Sequence, residues 1–240
     1  NVELPYVSLE KIGSYAFANS CISDIHLCYD IAEIGDYAFS NCSWLKKVEL
    51  PERIKEISDG TFCGCTKLSN VYMPESLEII GDFAFEGCKN LSVTLSGCKN
   101  LKSIGDFAFE GPTVVEFTPS KILTEVGNCA FTKLAVSTLE LPSSLKRIEG
   151  ISFQGSFSRI VISKGTTYID RAFVSNAKSG NFYINSRVPI DAGECIITGD
   201  GWDIESKWTL HVPDGCQTAY SKKTPWNKFK NILDDISLSK

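Results

Sequence analysis

Apolar and polar positions along this chain recur with a period of about two dozen residues. The clearest marker is Ile-Gly-x-x-Ala-Phe, present as Ile12-Gly13-Ser14-Tyr15-Ala16-Phe17, and again from Ile34 to Phe39, Ile80 to Phe85 and Ile104 to Phe109. Looser copies run from Ile57 to Phe62, Val126 to Phe131 and Ile148 to Phe153, and a last one, Ile169 to Phe173, is one residue short. Successive Phe positions are 22, 23, 23, 24, 22, 22 and 20 residues apart. A fixed period of this size is the signature of a repeat architecture.

Each unit carries a second marker, a short alternating segment such as Leu45-x-x-Val48-Glu49-Leu50-Pro51. Its counterparts centre on His26, Tyr72, Thr94, Glu116, Glu140, Val161 and Tyr183. Inward, outward, inward is the period of a strand with one buried face. Pro51, Pro74 and Pro142 cannot donate to a ladder and mark where strands stop. One coil is therefore a strand, a turn, an extended stretch such as Ile31-x-x-Ile34, and a compact bend carrying the Phe. No coil encloses its own apolar side chains, so the units must stack and bury them in ladders. Eight strands at about 4.8 Å form a parallel sheet roughly 35 Å long.

These motifs resemble the BspA-like (Treponema-type) leucine-rich repeat, Leu-x-x-Ile-Gly-x-x-Ala-Phe-x-x-Cys-x-x-Leu-x-x-Val-x-Leu-Pro, with the best match from Ile31 to Pro51. The resemblance covers roughly residues 9 to 184 and implies a β-rich repeat solenoid of the α/β leucine-rich type. Such a solenoid is right-handed, with a parallel sheet on one face and about eight repeats over 1–184. Residues 185–240 then form a C-terminal cap, in which Trp226, Phe229 and Ile232 plug the last apolar layer. The family further implies secretion or cell-surface display, with roles in adhesion and protein binding. The chain opens at Asn1 with neither Met nor signal peptide, which reads as a mature or trimmed fragment, and Leu4-Pro5 resembles the end of an earlier strand.

Composition narrows the function. The chain has 240 residues, 43% hydrophobic and 22% charged, with net charge −5, which argues against disorder and gives no basic stripe for nucleic acid. No apolar run reaches the roughly 20 residues of a transmembrane helix. Of ten cysteines, Cys42, Cys65 and Cys88 each fall three residues after a repeat Phe, as buried small residues. Cys63-Gly64-Cys65 looks like half a metal site, but no partner pair supplies the four ligands of zinc. Cys195 and Cys216 lie in the cap, where a disulfide and two free thiols are both compatible with the sequence. The acidic stretch Asp200 to Glu205 could hold calcium or make an ordinary turn. Asn41-Cys42-Ser43 and Asn90-Leu91-Ser92 are glycosylation acceptors by pattern alone.

Nothing in the repeat register pairs an acid with a base, and the two histidines, His26 and His211, read as surface or packing residues. Neither an enzyme nor a cofactor or metal is expected. The candidate binding surface is the outward stripe of the strands: His26, Glu49, Tyr72, Thr94, Glu116, Glu140 and Tyr183. A protein partner, host or cell-surface, is the first expectation. A glycan stacking on Tyr72 and Tyr183 is the alternative, and a structural spacer within a larger surface protein fits as well.

Overall fold

The computed structural model describes residues 2–3, 9–111, 114–171, 173–175, 179–194, 196–197 and 207–238. Leu4-Pro5, Cys195 and the acidic stretch 200–205 lie outside them.

The fold is a parallel β-solenoid with almost no helix among the described residues, which include the five-residue α-helix Gln217–Ser221 and the short 3-10 turn Trp226–Lys228. One face is built from Val2–Glu3, Ile25–His26, Lys47–Glu49, Asn70–Tyr72, Ser92–Thr94, Val114–Glu116, Thr138–Leu141, Arg159–Ile162, Gly180–Ile184, Trp208–Pro213 and Asn231–Ile236. These eleven strands mark about ten turns, more than the eight repeats expected. The additional turns come from both ends. Val2–Glu3 pairs with Ile25–His26, and Trp208–Pro213 and Asn231–Ile236 extend the sheet beyond Gly180–Ile184. Trp208–Pro213 and Asn231–Ile236 lack the Ile-Gly-x-x-Ala-Phe bend, so the motif does not count them, while Val2–Glu3 precedes its first copy.

Inward residues align into ladders. In the C-terminal half Leu139, Ile160, Phe182, Leu210 and Ile232 are in register across adjacent strands. A second wall is made by two-residue strands in which Ile57, Ile80, Ile104 and Val126 align. The third is the bend column. Phe39, Phe62, Phe85 and Phe109 are fully buried and stack ring on ring at centroid spacings of 5.2–5.5 Å. The stack runs on through Phe131 to Phe153. Phe173, from the copy one residue short, instead meets Phe182 edge-on at 6.0 Å. Burying a Phe is worth about 1.5–3 kcal/mol, and repeating that in each turn stabilises the stack against chain entropy.

Coils are also sewn together by polar bonds. The thiols of Cys42, Cys65 and Cys88 donate to the carbonyls of Phe17, Phe39 and Phe62, each at 3.1 Å. The Cys position thus satisfies a bend carbonyl one turn back as well as filling space. The Asp59 carboxylate accepts the Asp82 amide at 2.8 Å, Asp82 accepts that of Asp106 at 2.7 Å, and Asp106 that of Asn128 at 2.7 Å.

The bend uses left-handed backbone even without glycine: Tyr15, Tyr37, Phe83, Phe107 and Cys129 have φ between 52° and 60°. Tyr15 stacks on Tyr37 at 5.2 Å and Phe83 on Phe107 at 5.4 Å. Between these pairs stands Gly60, where a Cβ would lie 2.2 Å from the Tyr37 ring.

One coil breaks the pattern. Phe39 to Val48 and Phe62 to Val71 each span nine residues, but Phe109 to Val115 spans six. The shortened coil brings Val115 beside Leu134, on the bend side, instead of beside Leu139. Val114–Glu116 therefore joins the sheet of the bend strands Phe131–Leu134, Phe153–Gly155 and Val174–Ser175, while Thr138–Leu141 begins a new sheet as its edge strand.

Trp226, Phe229 and Ile232 are buried, as the plug reading expects, Trp226 in the 3-10 turn, Phe229 just after it and Ile232 in the strand Asn231–Ile236. Trp226 closes the end by donating its indole N–H to the Ile190 carbonyl at 2.8 Å.

Candidate functional site

Strand alternation leaves every second side chain of the eleven-strand face pointing away from the core. His26, Glu49, Tyr72, Thr94, Glu116 and Glu140 are all exposed, and Tyr183 is half-buried.

At the N-terminal end, Asp24, His26, Lys47 and Glu49 surround a depression of about 110 Å³ floored by Ile25 and Leu27. The Lys47 ammonium lies 2.5 Å from a Glu49 carboxylate oxygen and 4.7 Å from the Tyr72 ring centre. That hydrogen bond holds the Glu49 carboxyl below the usual carboxylate range and raises the Lys47 ammonium above its own. Both groups are fully exposed, so the pair orients side chains rather than stabilising the fold. Tyr72 remains 57% exposed. Beyond it, the Thr94 hydroxyl shares a 3.0 Å hydrogen bond with that of Ser96. Glu116 and Glu140 stand on either side of the break in the sheet, and neither forms an ion pair among the described residues.

The C-terminal end differs from the sequence reading. Tyr183 is sandwiched, with the Arg159 guanidinium 3.8 Å from its ring centre and the His211 imidazole stacked at 4.3 Å and 11°. Neither ring face is left for a sugar. His211 is only 7% exposed although its register is outward. Its Nδ1 donates to both carboxylate oxygens of Asp235 at 2.9 Å, and Nε2 lies 3.0 Å from Asn181 Oδ1. The cluster locks three strands together. Its signal in the sequence is weak, because Asp235 lies 24 residues beyond His211 in a strand without the repeat motif.

Three exposed aromatics among the described residues lie outside the stripe: Tyr15 in the first bend, Tyr29 and Trp44. Tyr29 is 78% exposed in the corner after the first of these strands with a full repeat, and Trp44 is 51% exposed with the Lys67 ammonium 3.3 Å over its ring. Cys63 and Cys65 point apart: the Cys63 thiol faces the Glu86 carboxylate at 3.4 Å, and Cys65 turns into the core. Burial and Glu86 push the Cys63 thiol up to about 11, and burial pushes Cys88 to about 12. Neither is a nucleophile at neutral pH. Cys216 is a buried free thiol.

Among the described residues no helix is long and apolar enough to cross a membrane.

The family model described as "BspA type Leucine rich repeat region" matches in six copies, over residues 1–98 and 92–192. Among solved structures the chain is similar to a Treponema pallidum leucine rich repeat protein, at 21% identity over 63% of this chain and 78% of that one, with a TM-score of 0.40. It is similar to a leucine rich cell surface protein of Faecalibacterium prausnitzii A2-165 at 18% identity, covering 95% and 70% of the two chains, with a TM-score of 0.42. Similarity extends to the pneumococcal vaccine antigen PcpA at 14% identity, covering 98% and 78%, with a TM-score of 0.39. No curated protein matches the chain.

Proposed function

The chain belongs to the BspA-type leucine-rich-repeat family, and on that premise we propose that it is a non-catalytic recognition module, displayed outside the cell, that holds a protein partner on its outward sheet face. The observation that carries this is the contrast between the two sides of the same strands. Inward positions repeat Val, Leu, Ile and Phe, while outward positions His26, Glu49, Tyr72, Thr94, Glu116 and Glu140 vary in charge, size and aromaticity on a fixed backbone. Such a surface supports specificity without disturbing the core. Tyr72 supplies a large, exposed, amphipathic anchor of the type that carries binding energy at protein interfaces.

A non-catalytic role is supported by the best acid–base pair on this face. His211 and Asp235 are close, but Nε2 faces Asn181, and His211 is covered by Tyr183. Of the two stripe tyrosines only Tyr72 keeps a ring face open, its other face lying under Lys47, which favours protein over sugar.

Purified chain is screened against extracellular-matrix proteins and a glycan array, beside the quadruple variant Glu49→Ala, Tyr72→Ala, Glu116→Ala, Glu140→Ala. Protein capture lost in the variant is the expected result. Capture that survives all four changes, or binding to glycans alone, overturns the assignment.

A further inference from the structure

Two neighbouring coils turn the corner after their outward strand with a longer loop than the coils on either side. Nine residues separate Val48 from Ile57, Val71 from Ile80, Leu139 from Ile148 and Ile160 from Ile169. Eleven separate Val93 from Ile104 and Val115 from Val126. Both ends of the longer pair are held in register, Val93 beside Val115 and Ile104 beside Val126. The two extra residues of each coil therefore fall in the corner between those points, and the loops 96–100 and 118–122 lie side by side.

These loops surround a cavity of about 430 Å³ whose lining comes in pairs from matching loop positions: Ser96 with Thr118, Cys98 with Ser120, and Lys99 with Lys121, joined by Pro119. The depression at His26 holds only about 110 Å³, whereas small-molecule pockets span roughly 300–1,000 Å³. Side-chain bonds fix the loops. The Asn100 amide donates to the Glu75 carbonyl at 3.0 Å in the coil before, the Ser120 hydroxyl donates to the Leu101 carbonyl, and the Ser96 hydroxyl shares its 3.0 Å bond with Thr94. The interior is mostly apolar. Cys98 is buried, and burial pushes its thiol up to about 11, so at neutral pH it is uncharged and packs as a soft hydrophobe. The Pro119 ring and the lysine stems add methylenes.

Charge selects the ligand. Among the described residues no carboxylate lines the cavity. The Lys99 ammonium lies 3.1 Å from the Glu75 carboxylate, so the preceding coil answers its charge. Lys121, at the same position one coil on, is exposed and forms no ion pair among the described residues. The rim thus carries one unanswered positive charge over an uncharged interior. We propose that this cavity binds a small organic anion, an apolar body carrying a single acidic group, with the body against Cys98 and Pro119 and the acidic group on Lys121. The site is distinct from the outward stripe of the sheet and does not depend on what that stripe holds.

The test titrates the full 240-residue chain with 2-naphthoate, and separately with 2-naphthamide, which keeps the shape without the charge, following amide shifts by NMR. With naphthoate, saturable shifts should gather at Ser96, Cys98, Lys99, Thr118, Ser120 and Lys121. The amide should bind at least about 5-fold more weakly, since it forgoes a charge-assisted contact. Lys121→Gln should bring the two ligands within about 2-fold of one another, because no unanswered charge is left for the acid to meet, while Lys121→Arg keeps the preference. Lys121 is exposed, so neither variant should move the thermal midpoint. Equal binding of acid and amide, or a preference that survives Lys121→Gln, overturns the anion site. Shifts centred elsewhere on the chain, or none that saturate below about 10 mM for a ligand of this size, overturn the cavity as a site and leave the sheet-face reading standing.

Discussion

Replacing Phe85 by Ala tests the architecture at its centre. The side chain is fully buried, and its ring stacks on Phe62 at 5.4 Å and 11° and on Phe109 at 5.2 Å and 12°. Truncation removes most of the ring and leaves a void, at a cost of about 3–5 kcal/mol for a large core residue. The value belongs at the upper end, because two stacked neighbours lose a partner at once, each pair being worth about 0.5–1.5 kcal/mol. For a chain of this size that lowers the thermal midpoint by roughly 6–20 °C. Circular dichroism melts and urea titrations would read it, with Glu116→Ala as a matched control expected within about 0.5 kcal/mol of the parent. Equal midpoints for the two variants, or a fall smaller for Phe85→Ala than for the control, would refute the ladder as the source of stability.

Gly60→Ala should cost about 1–3 kcal/mol, since the residue has φ +57° and the new methyl would meet the Tyr37 ring, whereas Gly97→Ala, with nothing within 4 Å, should be near neutral in the same melts. Stability should fall as pH rises above about 9: burial raises the thiols of Cys63, Cys88 and Cys98, so the unfolded chain loses those protons first and the folded chain retains them. Urea midpoints measured between pH 8 and pH 10 check the sign, and a rise with pH would contradict it. His211→Ala should destabilise by about 0.5–1.5 kcal/mol, because it removes the hydrogen bond to the exposed Asp235 and uncovers one face of Tyr183. Exchange protection in Gly180–Ile184 and Asn231–Ile236 should drop first, while the Phe62 region stays unchanged.

Much of the fold is written in the spacing of a few residue types. The Ile and Phe columns are as regular in space as in sequence because each coil packs only on its neighbours, so a local motif determines a local environment. The same logic explains what escaped. The strands Trp208–Pro213 and Asn231–Ile236 are coils without the Phe bend, so the periodicity stops before the solenoid does. The three residues missing between Phe109 and Val115 can be counted, but that Val115 would then pair with Leu134 depends on where the next coil lies. Alternation placed His26, Glu49, Tyr72, Thr94, Glu116 and Glu140 outward correctly. It could not anticipate that Arg159 and His211 cover both faces of Tyr183, because that contact is made across strands by long side chains.

The bonds between coils have one more consequence. The Phe17 amide reaches Ala38, Phe39 reaches Thr61, Phe62 reaches Ala84 and Phe85 reaches Ala108, each a single coil ahead. The loop closed at every step is roughly a tenth of the chain, so the search for partners is as short at the last coil as at the first. A nascent chain can therefore crystallise onto itself one turn at a time as it emerges, each finished coil serving as the template for the next. Folding of this kind needs no distant segment to arrive, and its speed should depend little on how many coils the protein has.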